Sequence, residues 1–263
     1  MKINKLKMDF PKQFLSKILI LIVFMPLMVL AQNPSVVNNK TDEDGEKQGY
    51  WEEQVAQNKY VGSYLDDSKV GQWVFINNKG MIVGMENYLN GELQGYKIEI
   101  DKRGYFKKET FYQAGKKYGK QIEYTYGGRI VNFKHYENNL LNGSSEIYYD
   151  NGKLQESSHY KNDKRNGLTE WYDYDGKKIA SFNYINGEFD GLQQTFYAKG
   201  AVKSEEYYEK NIPFGERKEY FPDGKISLQG SYKKGKKNGD WVSFDQTGKQ
   251  IKVEKYKNDE IIK

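Results

Sequence analysis

The stretch YKNDKRNGLTEWYDYDGKKIASFNY (160–184) contains one full period of the pattern that decides the fold. It begins and ends on a tyrosine, and Gly167 and Gly176 follow the first tyrosine by seven and sixteen residues. Tyrosine recurs at this spacing of 24 residues, without insertion or deletion, from Tyr64 to Tyr256. A constant period of this length indicates a stacked repeat, in which each unit buries its surface against the next.

Each unit has the composition of a β-hairpin. The pair Asp175–Gly176 lies between LTEWYDY (168–174) and KKIASFNY (177–184), which are rich in strand-forming residues. Because a type I′ turn needs positive φ at both central residues, an Asp–Gly pair predicts a two-residue turn at this point. The polar segment KNDKRNG (161–167) is then expected to connect one hairpin to the next.

The predicted turn fixes a register. Counting back from it pairs Gly167 with Tyr184, whose ring is expected to cover the glycine backbone. The residue twelve positions after each tyrosine is apolar or aromatic, from Ile76 to Phe244, and in this register it points to the opposite face. The sequence therefore predicts an all-β fold, an elongated single-layer antiparallel sheet of stacked hairpins with a narrow apolar ladder on each face.

The chain divides into four segments. Residues 1–31 contain lysines, an apolar block and Ala31 before a polar residue, which is typical of a signal peptide cleaved near Ala31 and predicts export to the periplasm, cell envelope or medium. Residues 32–44 are expected to be a polar linker and residues 45–63 a degenerate capping repeat. Residues 64–263 are expected to hold eight repeats that end in a lysine-rich edge strand.

Charge and composition argue against several functions. The net charge is +5, but the leader holds five lysines against Asp9, so about +1 remains for the rest. We therefore expect no nucleic-acid partner. The sequence has no Cys and two histidines, His135 and His159, which occupy equivalent positions in neighbouring units and are expected on solvated strands. We expect no enzyme activity, no cofactor and no metal site.

Two acidic segments weakly suggest calcium loops. Asp42, Asp44 and Gly45 form one of them, and the segment YDYDGK (172–177) is the other. Both lack the full ligand pattern of a calcium loop, and we expect them to form turns.

Aromatic residues outside the periodic columns are the candidate partner-contact site. The fold does not require them, so we expect them to form a contact patch on the middle repeats. They are Trp171, Tyr149, Tyr174, Tyr197 and Phe221.

The units YINGEFDGLQQTFYAKG (184–200) and YKKGKKNGDWVSFDQTG (232–248) resemble the MORN repeat, in the variant found in bacterial YwqK-like proteins. The resemblance extends over about residues 45–263 and implies binding rather than catalysis. Many bacterial members are labelled as antitoxins, and others as scaffolds or membrane-associated modules. We expect a protein-binding or scaffold module of the envelope; the alternatives are an antitoxin-like or immunity protein and a lipid-associated scaffold.

Overall fold

The computed structural model describes residues 39–262. The predicted signal peptide and the first seven residues of the predicted linker lie outside the described residues. The described residues form one open antiparallel sheet of 23 strands, in which successive long strands pair with each other. The two-residue strands at 92–93, 164–165 and 236–237 pair only with the strand before them. The predicted all-β, single-sheet fold is confirmed. No helix suited to crossing a membrane occurs among residues 39–262.

The strands are β1 (Lys40–Thr41), β2 (Lys47–Val55), β3 (Asn58–Leu65), β4 (Ser68–Ile76), β5 (Ile82–Leu89), β6 (Glu92–Leu93), β7 (Gly95–Ile100), β8 (Phe106–Gln113), β9 (Lys116–Tyr124), β10 (Ile130–Glu137), β11 (Leu140–Tyr148), β12 (Leu154–Lys161), β13 (Lys164–Arg165), β14 (Gly167–Tyr172), β15 (Lys178–Ile185), β16 (Glu188–Phe196), β17 (Val202–Glu209), β18 (Ile212–Tyr220), β19 (Ile226–Lys233), β20 (Lys236–Lys237), β21 (Gly239–Phe244), β22 (Gln250–Lys257) and β23 (Glu260–Ile261).

The register is the one predicted. Gly167 pairs with Tyr184, and the equivalent glycine and tyrosine pair in the other units. The physical reason given for the glycine was wrong, because a Cβ at Gly71 or Gly215 would have no atom within 4 Å and so no ring above it. Gly167 instead has a φ of +115, a left-handed backbone conformation that residues other than glycine rarely adopt.

The turn after Tyr172 differs from the prediction. Asp173 to Lys177 form a five-residue turn, closed by the Asp173 N–H to the Lys177 carbonyl and the Gly176 N–H to the Asp173 carbonyl, both at 2.8 Å. Gly176 has φ +82, whereas Asp175 has no positive φ, so the turn is not of type I′. The pairing shifts by one residue between Trp171 and Tyr172, and this bulge preserves the predicted register.

The two-residue turns with two positive φ values lie in the segments predicted to be connections. Asn186 and Gly187 have φ +52 and +89, as a type I′ turn requires. These turns also join neighbouring units, because the Gly187 N–H donates to the Arg165 carbonyl at 2.7 Å. Where the second turn residue is Asp or Asn the link is reciprocal: the Leu141 N–H donates to Asp163 Oδ1 at 2.7 Å, and the Asp163 N–H donates to the Leu141 carbonyl at 3.0 Å.

The periodic tyrosines share one face of the sheet, here called the tyrosine face. At its two ends, Trp73 and Trp241 lie where a Cβ on Gly62 or Gly230 would overlap the indole ring. Trp73 is fully buried and contacts the ring of Tyr64 at 5.0 Å. Between these ends a row of small and polar side chains is buried: Glu86, Thr110, Gln121, Ser145, Ser158, Thr169 and Gln193. The core is therefore one row on one face, without a second layer over residues 39–262.

The residues twelve positions after the tyrosines lie on the opposite face, as predicted. Strand alternation places Tyr172 there with Glu170, which accepts a hydrogen bond from the Tyr172 hydroxyl at 2.9 Å. Tyr124 donates in the same way to Glu109 at 2.9 Å. Each face therefore carries its own ladder of rings.

The N-terminal hairpin has a feature that the sequence reading missed. Gly45 has φ +86 and closes a five-residue turn of the same kind as Gly176, with the Asp42 N–H donating to the Glu46 carbonyl at 3.0 Å. Gly45 lies in the turn before β2, and the turn between β2 and β3 contains no glycine. β2 and β3 follow the turn at Gly45 and meet at a tight turn at Ala56, where the longer units have a five-residue turn.

Candidate functional site

Four of the five aromatic residues predicted to contact a partner lie in the five-residue turns. Tyr149, Tyr197 and Phe221 are the first residues of their turns, and Tyr174 is the second residue of its turn. The rings of Tyr149 and Tyr174 come from adjacent turns and meet with centroids 5.3 Å apart. The structure thus places these four residues along one edge of the sheet.

Two further turns belong to the same series, and the sequence analysis missed them. Tyr105 and Tyr126 lie in the two preceding turns, with ring centroids 5.0 Å apart, and the Arg103 guanidinium lies 4.4 Å from the Tyr126 centroid. Six consecutive turns therefore each carry one aromatic ring, whereas the turns at 42–46, 77–81 and 245–249 carry none. We call this set the aromatic edge: Tyr105, Tyr126, Tyr149, Tyr174, Tyr197 and Phe221.

Trp171, the fifth predicted contact residue, lies on the tyrosine face rather than in a turn. Its indole N–H donates to Glu156 at 3.0 Å, and its ring contacts that of Phe182 with centroids 5.1 Å apart. The guanidinium of Arg165 lies 5.3 Å from the Trp171 ring and 5.6 Å from the Tyr184 ring, and it pairs with Glu156. This side chain is half-buried and is held by Arg165 and Phe182 of its own repeat and by Glu156 of the preceding one.

The opposite face carries an uncovered apolar row in the N-terminal half of the sheet. We call it the apolar strip: Val61, Val74, Met85, Ile98, Ile122 and Phe133. Glu109 interrupts the row but accepts the hydrogen bond from Tyr124. Ile82 and Phe106 are more exposed, at 46% and 48%. Each is the first residue of its strand and pairs with the last residue of the preceding strand.

The same row is polar in the following repeats. Its polar members are Glu146, Ser157, Glu170, Ser181, Gln194, Glu205, Lys218 and Gln229, after which the row ends in Val242 and Val253. Because all units have the same backbone pairing, the fold does not dictate this change from apolar to polar. The contrast marks the N-terminal half of this face as a candidate contact surface.

Hydrogen bonds between tyrosine hydroxyls and glutamate carboxylates stabilise both faces of the sheet. Burial and the hydrogen bond to Glu205 raise the pKa of Tyr220 to about 12. Burial and Glu206 raise the pKa of Tyr208 to about 12 as well. These phenols are therefore protonated donors at neutral pH, and the paired carboxylates are acceptors in a structural contact.

The residues considered for metal or acid–base chemistry have structural partners. Asp42 Oδ1 accepts the N–H groups of Asp44 at 3.1 Å and Glu46 at 2.9 Å, which closes the turn. The side-chain hydrogen bond from Gln48, followed by the one from the Glu46 backbone, lowers the pKa of Asp42. Oxygens of Asp42, Glu46 and Asp66 lie within 4.8 Å of one another, and all three residues are exposed.

The second acidic segment and the histidines lie in equally simple surroundings. Asp173 Oδ1 accepts the Lys177 N–H at 2.8 Å, as expected for a turn. His135 Nδ1 lies 2.9 Å from the Asn142 carbonyl oxygen, and His159 is exposed on its strand. None of these three side chains lies in the set with Asp42, Glu46 and Asp66.

The geometry defines a class of protein, a single-sheet repeat of β-hairpins with two candidate contact surfaces. The family model for the MORN repeat variant matches residues 141–162, 189–210 and 215–234. These matches support a MORN-repeat protein. No curated protein matches the chain.

A solved chain titled "Crystal Structure of TcdB2-TccC3-Cdc42" is similar to 75% of this chain at 10% identity, with a TM-score of 0.17. This chain spans 15% of the length of that one. At this TM-score the likeness carries no argument about fold or function.

Proposed function

We propose that this chain is an exported, non-enzymatic binding and scaffold module of the cell envelope, and that it engages another protein through the apolar strip. The observation that carries the proposal is the change of one row from apolar to polar within a constant backbone. The six side chains of the strip are half-buried and Glu109 interrupts their row, and uncovered apolar surface on a sheet face is a feature of protein contact sites. Export is supported by the leader-like composition of residues 1–31, and binding rather than catalysis by the resemblance to MORN repeats.

The strip is suited to a protein partner because it is flat and apolar. Full burial of an exposed Ile or Val side chain contributes about 1.5–3 kcal/mol, and a half-buried one contributes correspondingly less, so several strip residues together are needed to hold a partner. Ile98 and Ile122 are half-buried by their neighbours, which leaves part of each side chain to be covered. Lys97 and Lys108 lie on the tyrosine face, where they pair with Glu86 and Glu123, and do not interrupt the strip.

The test uses a matched pair of double variants in the full-length chain. Ile98→Thr with Ile122→Thr makes the strip polar while keeping β-branched side chains in the strands. The control is Gln194→Thr with Lys218→Thr, at the equivalent positions four repeats later. Cross-linking and affinity purification from envelope fractions should return a specific protein with the wild type and the control, and lose it with the strip variant.

Three outcomes would contradict the proposal. One is a partner that the strip variant retains as well as the wild type does, with both chains folded by circular dichroism. Another is a full-length chain that remains in the cytoplasm with residues 1–31 attached. The third is sedimentation with liposomes that depends on Ile98 and Ile122, which would indicate the lipid-associated scaffold instead. If the captured partner is a toxin whose lethality this protein relieves, the antitoxin role of the YwqK-like proteins would apply.

A further inference from the structure

We propose that the aromatic edge binds an extended, uncharged polysaccharide, a function separate from that proposed for the apolar strip. The chemistry that points to this ligand is a row of aromatic rings, three of them exposed phenols, among carboxylate and amide side chains. The C–H-rich face of a pyranose ring is flat and apolar and packs on an aromatic ring, while its hydroxyl groups need polar partners. Tyr126, Tyr174 and Tyr105 are 63%, 54% and 44% exposed.

The turns do not need these aromatic rings. In five other turns, which begin at residues 42, 77, 101, 173 and 245, the first residue is Asn or Asp and closes the turn with its side chain. Asn77 Oδ1, for example, accepts the N–H groups of Lys79 at 2.9 Å and Met81 at 3.0 Å. Tyr149, Tyr197 and Phe221 occupy this position and cannot accept those hydrogen bonds. Asn151 Oδ1 accepts the Lys153 N–H at 2.9 Å and Asp223 Oδ1 accepts the Lys225 N–H at 3.1 Å, so two of these turns keep one such hydrogen bond and give up the other for an aromatic ring.

The edge is assembled before any ligand arrives. The Arg129 guanidinium donates to the Asp150 carbonyl at 2.8 Å, and the Asn151 side chain donates to the Tyr174 carbonyl at 2.8 Å. The Tyr174 hydroxyl donates to Asp150 Oδ1 at 2.8 Å, and the Tyr197 hydroxyl donates to the Tyr220 carbonyl at 2.7 Å. Because these contacts link successive turns, little side-chain freedom is lost when a ligand binds.

The charge of the edge is close to balanced and gives little attraction for a polyanion. The six turns hold seven Lys and Arg residues against five Asp residues. Asp150 and Asp175 stand beside the rings of the central turns, where they would repel phosphate or sulfate groups. Arg129 and Lys225 use their head groups on carbonyl oxygens, of Asp150 and Gln246 respectively.

The backbone of the edge is unsuited to adding a peptide strand. Each of the six turns is closed by two backbone hydrogen bonds of 2.7–3.0 Å. An extended peptide would need unpaired N–H and C=O groups in a row, and these turns direct theirs inward. A chain of sugars needs no such groups and uses ring faces and hydroxyls instead.

The spacing of the rings favours a polymer over a single sugar. Successive turns are two strands apart, about 10 Å along the sheet at the usual strand spacing. A long polysaccharide can contact several rings at once, and linked weak contacts raise the overall affinity. A free monosaccharide can contact only one ring or one ring pair.

Affinity electrophoresis of the full-length chain in gels containing hydroxyethyl cellulose, laminarin, xylan or dextran tests the proposal. We expect at least one of these neutral polymers to retard the wild type. The retardation should change little between low salt and 0.5 M salt, whereas binding through phosphate contacts would weaken by roughly 10³-fold or more over this range. Tyr126→Ser with Tyr174→Ser should weaken the retardation roughly tenfold or more, since stacking on each ring contributes about 1 kcal/mol or more. The control is Tyr118→Ser with Tyr207→Ser, two exposed tyrosines outside the turns, which should leave the retardation unchanged.

The proposal fails if none of the four polymers retards the wild type, or if the edge variant is retarded as strongly as the control. It also fails if the edge binds only heparin or anionic liposomes in a salt-sensitive way. Purification of the protein partner is run in parallel on the same edge variant. The edge variant leaves the apolar strip intact, so it should lose polysaccharide binding and still capture the protein partner. This result would distinguish the present proposal from the proposed function.

Discussion

The contact between Gly62 and Trp73 gives the sharpest test of how the sheet is held together. A Cβ on Gly62 would overlap the indole ring of Trp73, which is fully buried. Gly62 has no positive φ, so alanine fits the backbone there and only the ring opposes it. We expect Gly62→Ala to destabilise the N-terminal repeats by about 1–3 kcal/mol, the usual cost of overpacking.

The same substitution should reverse its sign once the ring is removed. In a Trp73→Val background the overlap disappears, and replacing a strand glycine by alanine then stabilises by about 0.5–1 kcal/mol. The coupling between the two positions is therefore about 1.5–4 kcal/mol, although Trp73→Val alone costs about 3–5 kcal/mol. Urea denaturation, together with hydrogen exchange of amides in β3 and β4, measures the free energy of unfolding of all four proteins in this double-mutant cycle.

The control for this cycle is Gly215→Ala. Gly215 has φ +67 and no atom within 4 Å of a Cβ, so its strain is independent of any ring. Its cost should be the same with Trp73 or Val at position 73. If Gly62→Ala costs the same in both backgrounds, the ring does not select the glycine and the reasoning is refuted.

Three further predictions concern turns and tyrosines. Asp163→Gly keeps the left-handed backbone but removes the hydrogen bond from the Leu141 N–H, so the junction should lose about 1 kcal/mol, seen as faster exchange of the Leu141 amide; unchanged exchange would contradict it. Gly176→Ala should lower the free energy of unfolding by about 1 kcal/mol or more, and Lys153→Ala should not rescue it, because the strain lies in φ rather than in the contact with Lys153. Burial, followed by hydrogen bonds to Glu146 and Glu205, raises the pKa of Tyr148 and Tyr220 from 10.0 to about 12. Their stabilising effect should therefore be complete below pH 10 and lost as the pH rises towards 12, so the Tm should fall over this range and fall less in Tyr148→Phe; an equal fall in both chains would argue against it.

The period and the register could be predicted from the sequence because they depend only on counting. A spacing of 24 and the position of one turn determine that Gly167 lies opposite Tyr184. The assignment of turn types failed because Asp175–Gly176 and Asn186–Gly187 are chemically similar pairs. A signal was present: the residue before the equivalent glycine is Lys79, Arg103 or Lys199 in other units, and none of these residue types favours positive φ.

The candidate site could be predicted only in part. Tyr149, Tyr174, Tyr197 and Phe221 stood out because they break the column pattern, and the structure places them on one edge. Tyr105 and Tyr126 belong to the same edge but occupy different positions within their turns, so no single column contains all six. The apolar strip was missed because residues that pair across neighbouring strands lie up to 13 residues apart in the sequence. A row across the sheet can be traced only once the register between every pair of strands is known.

The architecture explains how the two proposed binding surfaces can coexist on one small repeat protein. In a single-layer sheet, each repeat contacts only its neighbours, so stability is close to a sum over units and junctions. The buried row on the tyrosine face and the reciprocal turn contacts, such as Leu141 with Asp163, supply those terms. The opposite face and the five-residue turns are then free to vary without loss of register, and these are the places where the apolar strip and the aromatic edge occur. Substitutions in one surface should therefore leave the other intact, because the apolar strip lies on the strands and the aromatic edge lies in the turns.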